Sequence, residues 1–167
     1  MSRAFGIVLL LGVIVAAVHY LDTNLEVPPR APETQKYETA AGYGSRSVLV
    51  ESDRHGQFVV DATVNGRSVR MLADTGASAV VLTENDARRA GFDARSLDFS
   101  VPVQTANGTT HTAAIMLDTI EVDGIVIDDV RALVAQPEDL TTSLLGMTFL
   151  GRLENVTMSG ETLEMVE

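Results

Sequence analysis

From Ser47 onward, apolar and polar positions alternate in short runs. Phe58, Val60, Ala62 and Val64 fall on one side of such a run and Gln57, Val59, Asp61 and Thr63 on the other, a period of two that predicts a strand. Asn65-Gly66 follows and predicts a type I′ turn into a second strand over residues 67–72. Asp123-Gly124 and Ser159-Gly160 stand between further apolar runs and predict two more hairpins. One helix interrupts the strands: Thr83 caps it, Asp86 stands in its first turn where negative charge is favoured, and Gly91 supplies the left-handed stop. A second short helix is predicted over residues 147–153. Short, regularly spaced strands with little helix predict an all-β barrel or sandwich.

Before this domain the pattern is different. Residues 4–21 (AFGIVLLLGVIVAAVHYL) carry no Asp, Glu, Lys or Arg, and their length is close to the roughly 20 residues a helix needs to cross a hydrocarbon core. Arg3 precedes this run and Asp22 and Glu26 follow it, which sets the N-terminus in the cytoplasm and exports the rest. The run exceeds the usual apolar core of a signal peptide. Residues 1–21 are therefore read as a transmembrane anchor, with a cleaved signal peptide ending near Val15-Ala16-Ala17 as the competing reading. Residues 22–46 hold Pro28, Pro29 and Pro32 with Gly42 and Gly44 and show neither period; they read as a flexible linker with a reach of about 28 Å. Residues 47–167 form the folded domain.

Composition narrows the chemistry. The chain has 167 residues, enough for one domain, and no Cys, so neither disulfides nor thiolate metal sites are available. Twelve Lys and Arg against 23 Asp and Glu give a net charge of −11, which repels phosphate backbones. With aromatics at only 5% and no Trp, nucleic acid is excluded as a partner. The three histidines lack metal-ligand spacing, and Asp123, Asp128 and Asp129 lack the spacing of a calcium loop; no metal and no cofactor is expected. Ser78 with His55 or His111 is not a hydrolase pair, because residues 76–80 lack the second Gly of a nucleophile elbow.

The informative stretch is residues 72–82, LADTGASAVVL, in which an apolar strand enters Asp74-Thr75-Gly76, turns through Ala77 and Ser78, and resumes as an apolar strand. Such a loop holds a carboxylate rigidly, with Gly76 admitting close backbone approach and main-chain N–H groups turned toward the acid. Taken alone, Asp-Thr-Gly is an ordinary polar turn.

The surrounding pattern changes that reading. The run 73–78 resembles the active-site signature of retropepsin-like aspartic proteases. Leu144-Leu145-Gly146, followed by Met147-Thr148-Phe149-Leu150, resembles the family's second hallmark, which packs beneath the active-site loop and leads into a short helix. Between them, a hairpin with Ala106, Asn107, Gly108 and Thr109 at its tip lies where the family carries its substrate-binding flap. The three occur in the family's order, over residues 47–166. With the anchor, the chain looks like a bacterial membrane-tethered member, held in the inner membrane by a single span with its domain on the periplasmic side. The implied fold is a retropepsin-like barrel with one or two short helices.

The resemblance makes Asp74 the catalytic acid. Hydrolysis of a peptide bond by carboxylates needs one acid to hold a proton and another to accept one from water, and this chain has one such motif; Asp118-Thr119-Ile120 lacks the Gly. A homodimer with Asp74 of each chain at the two-fold axis is therefore expected, hydrolysing protein or peptide substrates without a covalent intermediate. Thr75 is expected to brace the two loops across the axis, and the terminal strands, residues 163–166 included, to join across the interface. Ala77, where two-lobed relatives often carry a hydroxyl, implies activity nearer neutral pH. Two other readings stay open: a non-catalytic peptide-binding or dimerisation module on the same fold, and a protease that mainly cuts its own linker.

Overall fold

The computed structural model describes residues 46–105 and 108–167. The predicted anchor, most of the linker and two flap-tip positions, Ala106 and Asn107, lie outside the described residues. Among the described residues no helix is long and apolar enough to cross a membrane.

Among the described residues ten strands and two short helices follow one another as β1 (Ser47–Glu51), β2 (Val59–Val64), β3 (Arg67–Ala73), β4 (Val80–Leu82), α1 (Glu84–Arg89), β5 (Val101–Thr105), β6 (Gly108–Val122), β7 (Ile125–Val134), β8 (Ser143–Leu145), α2 (Met147–Leu150), β9 (Asn155–Ser159) and β10 (Thr162–Val166). A single 3-10 turn, Ala94–Ser96, follows α1.

Each predicted hairpin forms. Asn65 and Gly66 both take positive φ, 48° and 74°, and so do Asp123 and Gly124, at 45° and 86°, the backbone a type I′ turn requires. The alternation foreseen around residue 60 appears as burial: Val60, Ala62 and Val64 are at most 1% exposed, while Asp61 is exposed. Thr83 caps α1, its hydroxyl accepting from the Asp86 N–H at 3.1 Å. The helix stops before Gly91, whose φ of 103° turns the chain away. The second helix is shorter than predicted, ending at Leu150, because after the Gly151 N–H, which still donates to the Met147 carbonyl, Arg152 and Leu153 donate three residues back, to Phe149 and Leu150, and the chain leaves through turns.

The strands build two sheets. The larger runs β2-β3-β8-β4-β7-β6-β5, and an extra pairing of β2 with β6 closes it into a barrel. Closure places Met71, Leu82, Leu117, Ile120, Ile125 and Leu145 inside, each without solvent contact, and removes most exposed edges. β5 with the start of β6 projects from the barrel as the hairpin read as a flap, from Val101↔Thr112 to Thr105↔Gly108. The smaller sheet runs β1-β10-β9.

That order corrects one expectation. Residues 163–166 have neighbours on both sides within the same chain, β1 from Ser47↔Val166 to Glu51↔Thr162 and β9 from Thr162↔Ser159 to Val166↔Asn155. With both of its hydrogen-bonding edges filled, β10 has none left for another subunit. The open edges of this sheet belong to β1 and β9.

Candidate active site

The loop bearing Asp74 joins β3 to β4, and both of these strands pair with β8. β3 and β8 run side by side with Leu72↔Leu144 and Ala73↔Leu145. The pairing continues one step further as the Asp74 N–H donates to the Leu145 carbonyl at 3.1 Å. Asp74 therefore leaves a buried sheet with its main chain fixed and its side chain half-buried.

Two contacts define the loop. The Gly76 N–H donates to Asp74 Oδ1 at 2.8 Å, the turned main-chain donor expected from the Asp-Thr-Gly order. The Ala77 N–H donates to the Asp74 carbonyl at 3.3 Å, closing a tight turn. A Cβ on Gly76 would sit 3.1 Å from Asp74 Oδ1, so glycine leaves the carboxylate its position. Thr75, Gly76 and Ser78 are exposed and Ala77 half-buried.

Residues 145–147 hold this loop from the neighbouring strand and helix. The Met147 N–H donates to the Ala77 carbonyl at 2.9 Å. Gly146 packs so closely against the loop that a Cβ there would meet Ala79 O at 2.1 Å and Ala77 O at 2.8 Å. Leu145 and Gly146 are buried and Leu144 is half-buried. Residues 74–77 and 144–147 are thus brought together into one hydrogen-bonded unit.

Sequence reasoning missed several members of this support. The Thr148 hydroxyl accepts from the Val80 N–H at 2.8 Å, anchoring the strand that leaves the loop. Beneath it lies a closed polar ring. The fully buried Ser143 accepts from the Thr83 N–H at 3.0 Å and donates to Asp86 Oδ2 at 2.7 Å, and the Thr83 hydroxyl donates to the same oxygen at 2.9 Å. Thr148 lies inside the recognised stretch, but Ser143 and Asp86 are 57 positions apart, a separation with no local signature.

The β5–β6 hairpin is tied to the segment after β7. Thr110 Oγ1 donates to Asp139 Oδ2 and Gln136 Nε2 donates to the His111 carbonyl at 3.2 Å, linking β6 to the segment that follows β7. Of the predicted tip residues, Gly108 takes a φ of 116° and Thr109 donates to Gln104 Oε1 at 3.0 Å; Ala106 and Asn107 are outside the described residues. Among the described residues no group of three or more His, Asp or Glu could hold a metal ion.

Residues 60–152 match the family described as "gag-polyprotein putative aspartyl protease", a span that includes both the Asp74 loop and the 144–148 support. The crystal structure of a retropepsin-like aspartic protease from Rickettsia conorii aligns with a TM-score of 0.67 at 30% identity, covering 78% of this chain and 95% of that one. The protease of EIAV, in complex with an inhibitor, aligns with a TM-score of 0.50 at 25% identity over 61% of this chain and 92% of that one. Among curated sequences, an uncharacterized protein from Sinorhizobium sp. is 40% identical over 122 residues, 73% of this chain and 52% of its own. Uncharacterized protein RP867 of Rickettsia prowazekii is 30% identical over 128 residues, 77% of this chain and 53% of its own. The chain spans about half the length of the curated relatives it matches. On the matched family, the shared barrel and the order of its loops, this chain belongs to the retropepsin-like aspartic proteases.

Proposed function

We propose that the protein is an aspartic endopeptidase in which Asp74 of two chains forms one catalytic pair at a two-fold axis. The observation that carries this reading is the placement of a single carboxylate in a rigid loop whose neighbours Thr75 and Gly76 are open to solvent. One such group cannot both donate a proton to the substrate carbonyl and accept one from water. Two, brought within about 3 Å, cannot both ionise and so share a proton. The protonated member donates to the carbonyl oxygen, the ionised member takes a proton from water, and water adds to the carbonyl carbon to give a tetrahedral diol. Collapse of that diol releases the amine. Thr75 braces the paired loops, and the β5–β6 hairpin, with residues 106–109 at its tip, closes over an extended peptide that adds to exposed strand edges.

Location belongs to the same proposal. The charge-free run at residues 4–21 anchors the protein in a bacterial inner membrane and holds the domain on the periplasmic side. Substrates are then periplasmic or membrane-proximal proteins. Confinement to a surface raises the local concentration of chains, so a weak dimer suffices there.

Digestion of a peptide library by the purified protein over a dilution series, beside the Asp74→Asn variant, tests the reading. Cleavage is expected to vanish in the variant with the fold intact, and the rate per chain to fall on dilution below the dimerisation constant. Peptide binding without cleavage by the wild-type protein would instead identify a binding module on this fold.

A further inference from the structure

β3 has two faces with different duties. Val69, Met71 and Ala73 point into the core, so Arg70 and Leu72 point the other way, and Asp74, next in the alternation, continues their row. On this face lies a cavity of about 870 Å³. Its floor is a row across three strands, Val59, Leu72 and Leu144, set side by side by the Val59↔Leu72 and Leu72↔Leu144 registers. Asp74 is not among its lining residues; the cavity adjoins the loop rather than containing it.

Six charged side chains line this space: Asp53, Arg70, Glu84, Asp86, Arg88 and Arg89. Five are committed. Asp53 Oδ1 accepts from the main-chain N–H groups of His55 and Gln57 at 2.8 and 2.9 Å. Asp86 belongs to the ring with Thr83 and Ser143 and also meets Arg89, which donates to the Ser68 carbonyl at 2.8 Å. Arg88 donates to Asn85 at 3.1 Å and lies 3.9 Å from Glu84. The Arg70 side chain has no hydrogen bond or ion pair among the described residues. Asp61 stands opposite it in register, yet no ion pair joins them and Asp61 does not line the cavity.

An apolar floor with one uncommitted guanidinium suits a side chain that has methylenes and a carboxylate. We propose that this cavity receives an acidic side chain, Asp or Glu, of the peptide substrate, with Arg70 as its counter-charge. The inference rests on the protease reading given above and adds the substrate class. Arg70 is four residue steps along the strand from Asp74, about 13 Å at 3.3 Å per step, so the preferred acid lies a few residues from the cleaved bond. A two-fold dimer places one such cavity on each side of that bond.

The test uses the full-length chain and matched peptides carrying Glu, Gln or Lys at each position flanking the cleaved bond. The wild-type protein is expected to favour Glu over Gln by about tenfold in kcat/KM at one position on each side, the scale of a partly screened charge-assisted contact. Arg70→Ala should equalise the two, Arg70→Lys should keep part of the preference, and Arg70→Glu should turn it toward Lys, a reversal that a merely structural role would not produce. Equal cleavage of Glu and Gln peptides by the wild-type protein, or an unchanged Glu preference in Arg70→Glu, overturns the assignment. Fluorescence anisotropy of the same peptides on Asp74→Asn protein separates it from the protease reading. If no peptide is ever cleaved but binding favours Glu and loses that preference when Arg70→Glu is added, the cavity assignment stands and the protease reading falls. Binding indifferent to the acidic residue removes the assignment.

Discussion

A Cβ added to Gly146 would lie 2.1 Å from the carbonyl oxygen of Ala79, a separation that no folded backbone sustains. The obstacle is main chain, not the end of a flexible side chain, and it belongs to the last residue of the Asp74 loop, directly before the strand β4. Gly146→Ala must therefore displace either that strand or α2. The expected cost exceeds about 3 kcal/mol, read as a lowered urea midpoint, with loss of activity because Met147 and Ala77 no longer meet.

Gly76→Ala should behave in the opposite way. Its Cβ would approach only Asp74 Oδ1, at 3.1 Å, and φ there is not positive. A side-chain oxygen can swing aside, so the fold should hold to within about 1 kcal/mol. The carboxylate, however, loses its place beside the Gly76 N–H. Stability near wild type with kcat reduced at least tenfold is the expected pair of results, checked by denaturation and peptide cleavage on one preparation.

The buried ring at Ser143 gives a stability prediction. Ser143→Ala removes the acceptor of the Thr83 N–H and one of the donors to Asp86, leaving buried polar groups short of partners. A loss of about 1–3 kcal/mol is expected, measured as a drop in unfolding free energy. The double variant Ser143→Ala, Asp86→Asn should cost less than the sum of the two single changes, since both act on one network.

Asn65 does more than turn the chain. Its Oδ1 accepts from the N–H groups of Asp118 and Thr119 at 2.9 and 3.2 Å, stitching the β2–β3 turn to β6. Asn65→Gly keeps the positive φ but removes the amide. A loss of about 1–2 kcal/mol is expected, together with faster hydrogen exchange at the Asp118 and Thr119 amides.

Acid should erode one specific contribution. The Gln57 N–H, aided by the N–H of His55, holds the Asp53 carboxyl below the usual carboxylate range, against a smaller opposing effect of desolvation. A group with a depressed folded pKa stabilises above its unfolded value near 3.9, and that contribution disappears as pH falls through the folded value. Asp53→Asn should thus be less stable than wild type at neutral pH, by a modest amount because water screens the site. The difference should close below about pH 4, as urea unfolding across pH would show.

What could be read from the sequence was local. Asn65-Gly66, Asp123-Gly124 and the Thr83 cap each declare their backbone within four residues, and all three formed. Asp74, Gly76 and the 144–148 stretch could be placed together because their order carries the family likeness. Distances across the chain left no such trace. Nothing in Ser47–Glu51 or Thr162–Val166 says that these strands pair, since any two alternating segments are compatible on pattern alone. Ser143 and Asp86 were likewise invisible as a pair until the fold set them 2.7 Å apart. The cavity beside Arg70 exists only once α1 and β8 flank the same face.

The Glu167 N–H donates to the Arg46 carbonyl at 2.9 Å, so the antiparallel pair of β1 and β10 is closed at the very place where a pull on residues 46 and 167 would be applied. Force along that line peels the two strands apart one hydrogen bond at a time, instead of loading the whole row in shear. Pulled at these two residues, the seam opens as a zipper does.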